Sequence, residues 1–467
     1  MAEKRSQRLS RVDTAWLRME DPTNLMMVTG MLVFDQPLNF ARLRETIEQR
    51  LLSFDRFRQR VVSIGGAQHW QDDPYFTLNA HLHRIALPAP HDQTALQDLV
   101  STLMSTPLDH SKSPWQFHLI EEYGSGCVLL TRLHHCIADG IALMRVLLSL
   151  TDPAADAPAP GAEPARNGHA PASGPIGAAR AVVRGAEKLL DQGIETLLEP
   201  ARLAETAQLG ASSALALSRL LLMSPDQGTL FKGSLGVSKR AAWSAPVALE
   251  QIKAIGHSVG ATVNDVLLAA VTGALRRYLQ GRGERVDGLE LRAAVPVNLR
   301  SPDEPLTLGN RFGLVFLPLP VGADDPLDRL FDLKQRMQAL KGSPEALVTF
   351  GVLGLLGVLT DDLQDVGVAL FGAKATAVMT NVPGPRQTIY LAGAPARELM
   401  FWVPQSGRLG LGVSIISYAG QVRLGVATDL GLVPDPEAIV QAFHEEFELL
   451  GRLVPPGNEE LKIENEK

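Results

Sequence analysis

The 467 residues are 45% hydrophobic and 20% charged, and 44 basic against 51 acidic side chains leave a net charge of −7 and a pI near 5.9. A chain this long and apolar buries a sizeable core without help from disulfides or metals, which excludes a disordered or disulfide-scaffold protein. The acidic balance also argues against a general nucleic-acid binder, which needs a basic surface to release counterions.

Only two cysteines occur, Cys127 and Cys136, so a reducing, cytoplasmic setting is expected. The polar N-terminus leads to no apolar core of signal-peptide length. The longest uncharged run, 346–360, is about 15 residues, short of the ~20 that a spanning helix needs. The expectation is a soluble chain able to touch a membrane or lipid-droplet surface without crossing it.

In chain order, residues 26–34 (MMVTGMLVF) read as a strand. Phe40, Leu43, Ile47 and Leu51 recur at helical spacing, and a second helix is expected over 94–104. Residues 127–133 (CVLLTRL) read as a buried strand, followed by a helix over 140–150 that Asp139 is placed to cap. Residues 153–175 turn abruptly to Ala, Pro and Gly, the signature of an extended linker. An amphipathic helix follows from Ile176 to Leu197, with Arg180, Arg184 and Lys188 on its polar face. That face suits either an anionic lipid surface or a packed connecting helix.

The second half reads as a helix over 259–279 entered through Thr262-Val263-Asn264-Asp265, then strands over 291–297, 314–319, 375–380, 411–416 and 422–428. Asp435-Pro436-Glu437 opens a last helix. The expected organisation is an α/β fold of two lobes, 1–152 and 241–467, joined by a linker (153–178) and a helical crossover (179–240). A similar order of elements in the two halves hints at duplication.

The stretch His134-His135-Cys136-Ile137-Ala138-Asp139-Gly140 stands where a strand meets a helix, a position at which scaffolds present reactive groups. Neighbours on a strand point to opposite faces, so one imidazole faces a cleft and the other the core. The same geometry counts against the two histidines sharing a metal, although Cys136 restores an i, i+2 pair with His134. A buried histidine pair satisfied by backbone carbonyls is the plainer alternative.

HHxxxDG is the signature of the coenzyme A-dependent acyltransferase superfamily. The chain resembles one branch of it, the bacterial wax ester synthase/acyl-CoA:diacylglycerol acyltransferases. Pro107-Leu108-Asp109 through Trp115 resembles that branch's PLDxxxPLW motif, with Ser113-Pro114 where the family has Pro-Leu. Asn264-Asp265-Val266 with Leu268-Ala269 resembles NDVVLA, and Thr380-Asn381-Val382-Pro383-Gly384-Pro385 resembles SNVPGP with Thr for Ser. Asp13, Trp16-Leu17 and Glu20 are similar to the family's opening, where the usual MHVG reads Met27-Val28-Thr29-Gly30 after Met26.

The resemblance implies two chloramphenicol-acetyltransferase-like lobes with mixed sheets and a tunnel between them. It implies transfer of a fatty acyl group from acyl-CoA to a long-chain alcohol or a diacylglycerol, with no resident cofactor or metal and no acyl-enzyme. His135 would be the general base, with His134 beside it. Asp139 would be structural rather than a triad carboxylate, and Arg300, in Val295-Pro-Val-Asn-Leu-Arg300, is the candidate partner. Asn264 would donate to the developing oxyanion, or cap its helix, or both. Gly140, Asp265 and Asn381 would lie by the substrate, Asp265 also supporting the helix start and Asn381 shaping a turn between the lobes. Asp109 and Trp115 would support the fold. Gly351, Gly354 and Gly357 recur every three residues in an apolar stretch and imply close approach of either a second helix or an acyl chain. Two other readings share these motifs: a carrier-protein-dependent condensation-type acyltransferase, and a non-catalytic lipid-droplet protein.

Overall fold

The computed structural model describes residues 6–155, 207–300, 305–341, 343–405 and 407–453. The expected linker and the amphipathic helix with Arg180, Arg184 and Lys188 lie outside the described residues. The first half contributes β1 (Ser6–Arg8), α1 (Arg11–Arg18), β2 (Met27–Phe34), α2 (Phe40–Gln49), β3 (Gln59–Ile64), β4 (Ala67–Asp72), β5 (Leu82–Ala86), α3 (Gln93–Met104), β6 (Trp115–Tyr123), β7 (Gly126–His134) and α4 (Gly140–Ser149). The second half opens with α5 (Ala207–Leu222), β8 (Lys239–Trp243), β9 (Val247–Ala248), α6 (Leu249–Val259), α7 (Val263–Gly281), β10 (Leu291–Asn298) and β11 (Phe312–Leu319). It continues through α8 (Pro326–Lys341), α9 (Glu345–Leu356), α10 (Asp361–Gly372), β12 (Ala377–Pro383), β13 (Tyr390–Leu391), β14 (Ala394–Trp402), β15 (Leu411–Tyr418), β16 (Gln421–Asp429) and α11 (Pro436–Leu453).

Two mixed sheets carry the fold. The first runs β13-β14-β2-β7-β6-β5 and the second β11-β10-β12-β15-β16-β8, with β9 on β16. β7 is buried along its whole length, as a near-continuous apolar run in a doubly covered strand must be. β10, β12 and β15 pair in parallel, and most of the other contacts are antiparallel. Each sheet has its own apolar core, one centred on Leu129, Leu130 and Trp115 and the other on Val266, Leu424 and Phe443.

The sheets correct the expected lobe boundaries. β14, from the second half, pairs with β2 in the first sheet, so 241–467 is not one self-contained lobe. β8 begins at Lys239, so the second sheet already starts inside the expected crossover. The helix expected over 259–279 is a single one, α7, which starts four residues later than expected. Gly260 adopts φ +62 and ends α6, and α7 begins after Thr262. Among the described residues no single helix is long and apolar enough to cross a membrane.

Two close approaches hold the region around α1. A Cβ on Gly357 would sit 1.7 Å from the carbonyl oxygen of Arg11, so at this glycine the close neighbour is a second helix. Gln364 of α10 donates to Ala15 O at 3.2 Å. Gly357→Ala therefore has to push α1 away from α9, and an overpacked contact of this kind costs about 1–3 kcal/mol. Urea unfolding should show that loss; an unchanged midpoint would mean that the two helices yield freely.

Candidate active site

β7 ends at His134, and the chain crosses to α4 through residues 135–139. This loop is laced to the second half: Gly309 donates to Ile137 O at 3.0 Å and Arg311 N–H to Asp139 Oδ2 at 2.9 Å. Asp139 caps α4 by accepting from Ala142 N–H at 2.9 Å. Arg300 donates to the same carboxylate from Nε at 3.1 Å and Nη2 at 3.0 Å, and both side chains are buried. The carboxylate is thus occupied by a cap, an ion pair and a backbone amide, and none of these is His135.

The group that orients His135 is Asn310, which the motifs did not flag. Its Oδ1 lies 2.8 Å from Nδ1 of His135. Its Nδ2 donates to the carbonyl of His135 and to Asp13 Oδ1, each at 2.8 Å. With both amide hydrogens committed, Oδ1 can only accept, so Nδ1 carries the ring proton and Nε2 keeps the lone pair. Asp13 also accepts from the Asn310 backbone N–H at 2.9 Å and pairs with Arg56 at 3.3 Å. The Trp16 ring stacks on His135, with centroids 4.3 Å apart and planes 17° apart. Burial pushes the His135 imidazole down to about 4, so it is neutral at ordinary pH.

His134 faces the other way, fully buried. Cys136 N–H donates to its Nδ1 at 3.1 Å, which leaves the proton on Nε2, 2.9 Å from Glu20 Oε2. Glu20 also receives His110 at 2.8 Å and Met26 N–H at 3.0 Å. Burial pushes the Glu20 carboxyl up, but bonds from His110 and His134 outweigh it and hold the group below the usual carboxylate range. The ligand atoms of Glu20, His110 and His134 fall within 4.8 Å of one another. A protonated Nε2 cannot bind an ion, so hydrogen bonding accounts for this cluster. The expected catalytic place of His134 is corrected accordingly: it anchors the strand end and does not line the cavity of His135.

That cavity, about 920 Å³, lies between the two sheets and is lined by His135, Gly140, Asn298, Phe312, Thr380 and Asn381 among others. Two further cavities adjoin it. One of about 620 Å³ runs beneath α4 to Leu147 and Leu150, sharing Val28, Gly140, Val382 and Phe401 with it. Another, of about 600 Å³, lies between α1, β11, α9 and α10, sharing Trp16 and Leu314. Both arms are almost wholly apolar, and each shares a wall with the cavity of His135.

The remaining expected residues divide. Gly140 sits at the junction with open space at its Cβ position. Asn381 lines the central cavity from within β12, not from a turn, and donates to Asn264 Oδ1 at 3.0 Å. Asn264 does not line that cavity, nor is it the cap; Thr262 caps α7 in a reciprocal box with Asp265. Asp265 is buried in that box and is structural. In α9 the cavity lining comes from Thr349, Val352, Leu353 and Leu356, not from Gly351 or Gly354. Trp115 is buried and donates to Phe57 O at 2.9 Å, and Asp109 braces its own loop through Ser111 and Lys112.

Residues 9–267 match the wax ester synthase/diacylglycerol acyltransferase catalytic domain, and residues 308–451 match the WS/DGAT C-terminal domain. The chain belongs to this acyltransferase family. A putative diacylglycerol O-acyltransferase of Mycobacterium tuberculosis H37Rv is 32% identical over 464 residues, covering 95% of this chain and 98% of its own. A probable one from the same strain is 29% identical, covering 94% of each chain. Among solved structures, the wax ester synthase/diacylglycerol acyltransferase of Marinobacter aquaeolei VT8 superposes with a TM-score of 0.69 at 23% identity, covering 96% of this chain and 99% of that one. The starter condensation domain of rhizomide synthetase follows the same fold, with a TM-score of 0.60 at 13% identity over 96% and 94% of the two chains.

In this acyltransferase, Asp139 and Asn310 should separate stability from chemistry. Asp139→Asn leaves Arg300 buried beside a neutral partner and should cost about 3–5 kcal/mol in unfolding. Asn310→Ala removes the acceptor for Nδ1–H and should lower kcat far more than it lowers stability. A catalytic collapse in Asp139→Asn at full stability would reverse these two assignments.

Proposed function

We propose that the enzyme transfers a fatty acyl group from acyl-CoA to a long-chain alcohol or the free hydroxyl of a diacylglycerol, making a wax ester or a triacylglycerol. The observation that carries this is a neutral, oriented histidine in a cavity flanked by two apolar arms. Two long chains that must react at their polar ends need such a shape. The arm beneath α4 is read as the acyl channel and the arm beside α9 and α10 as the acceptor channel. Acyl-CoA is a co-substrate, and no resident cofactor takes part. A cytoplasmic site of action at a lipid surface fits these substrates.

In the proposed mechanism, Nε2 of His135 takes the hydroxyl proton as the alcohol oxygen attacks the thioester carbonyl. The imidazolium that forms is steadied through Asn310 by the Asp13 carboxylate, which offsets the weak basicity that burial imposes. The tetrahedral intermediate then loses the thiolate of CoA, which takes the proton back from Nε2. Thr380 and Asn381, on the cavity wall, are the side chains that would donate to the oxyanion in place of Asn264.

Thiol release from palmitoyl-CoA with hexadecanol or a diacylglycerol tests this directly. Release should require the alcohol and should fall by about 10²-fold or more in His135→Ala. Release indifferent to the alcohol would indicate a hydrolase, and activity only with an acyl-carrier protein would indicate a different donor.

A further inference from the structure

α10 carries apolar residues on both of its sides. Val368, Phe371 and Gly372 line the acceptor arm, while Leu363, Val366 and Leu370 point outward, 55%, 66% and 44% exposed. The outward three follow i, i+3, i+7 spacing, so they form one stripe along the helix. Leu355, in the last turn of α9, and Val358, just past it, are also 51% and 44% exposed. Soluble surfaces scatter such residues singly; a continuous stripe over an apolar cavity marks a contact surface.

The helix is thinly attached. Gln364 and Val368 are its buried residues, and Gln364 is bonded to α1. At its rim Asp361 pairs with Arg18 at 3.6 Å and Asp365 with Arg408 at 3.2 Å. Its sequence, DDLQDVGVALFG, holds three acids and no base. With Asp361 and Asp365 already paired and Asp362 exposed, the helix offers no positive charge to anionic headgroups, and a two-fold contact between copies would bring its acids together. A zwitterionic or neutral lipid surface meets neither objection.

We propose that α10 rests on such a lipid surface and that the cavity beneath it draws the acceptor directly from that surface. This rests on the reading of acyl transfer to a lipid alcohol. Trp16 and Leu314 form the shared wall between this arm and the catalytic cavity, and Trp16 stacks on His135. An acceptor held beneath α10 is therefore separated from the base by this one apolar wall.

The test uses the full chain with phosphatidylcholine vesicles. The protein should float with them, with no gain from added phosphatidylserine. Leu363→Asp/Val366→Asp should weaken partitioning by on the order of 100-fold, the effect of withdrawing two apolar side chains from lipid. Turnover of a short, water-soluble alcohol should not change, because neither residue lines the cavity. A polarity-sensitive probe on Val366→Cys should shift to the blue on addition of vesicles; the native thiols, Cys127 and Cys136, are buried. Equal flotation of the double variant overturns the proposal. So does a fall in molecular mass by light scattering, which would make the stripe an interface between copies, or a probe already shielded without lipid. If the short alcohol is turned over while flotation fails, the docking proposal falls and the transfer reading stands. If flotation holds with no turnover of any alcohol, the transfer reading falls and the acceptor route falls with it.

Discussion

The hydrogen bond from Nδ1–H of His135 to Oδ1 of Asn310, 2.8 Å long, decides which nitrogen can act as a base. A ring free to turn or to exchange tautomers would present the wrong atom to an alcohol part of the time. Asn310 removes both freedoms, because its own amide hydrogens are held by Asp13 and by the carbonyl of His135. Trp16 closes the ring from one face. Asp13 and Trp16 both belong to α1, so this short helix is part of the proposed catalytic centre, and its packing against α9 helps to hold the ring's two neighbours in place.

The second constraint is that the site belongs to neither half alone. His135 comes from the end of β7, and Asn310, Arg300 and Asn381 come from residues far along the chain. The loop 135–139 is held against residues 309–311 by backbone bonds and by the Asp139–Arg300 pair. A buried pair contributes little net stability over an apolar substitute, but it penalises any arrangement in which only one partner is buried. Its effect here is registry, since Arg300 can be neutralised only when the two halves meet in the arrangement that also places Asn310 beside the imidazole. β14, crossing from the second half to pair with β2, fixes the same relationship at the sheet edge.

Much of this was legible in the sequence wherever the signal was local. The apolar run before HHxxxDG became β7, Asp139 became the cap of α4, and Arg300 became its partner, because strand patterning, caps and strong charge pairs leave marks within a few residues. The opposite facing of His134 and His135 followed from the two-residue repeat of a strand. Asn310 was not legible. It sits in a polar loop between β10 and β11, and an asparagine in a loop looks the same whether it turns the chain or orients a base. The cap was misassigned to Asn264 for a related reason: the Thr262–Asp265 box that caps α7 was there to be read two residues before it and one after. The swap of β14 into the first sheet is a long-range pairing that alternation alone cannot reveal.

The protonation state of one ring decides the proposed chemistry, and nitrogen NMR of histidine-labelled protein observes it directly, with His135→Gln used to assign the signal. His135 should show a protonated Nδ1 and an unprotonated Nε2, unchanged from pH 8 down through pH 6, with titration only toward about 4. In Asn310→Ala that fixed tautomer should give way to a mixture. A wild-type ring that carries its proton on Nε2, or that titrates near the ordinary value of about 6.5, would contradict Nε2 as the base.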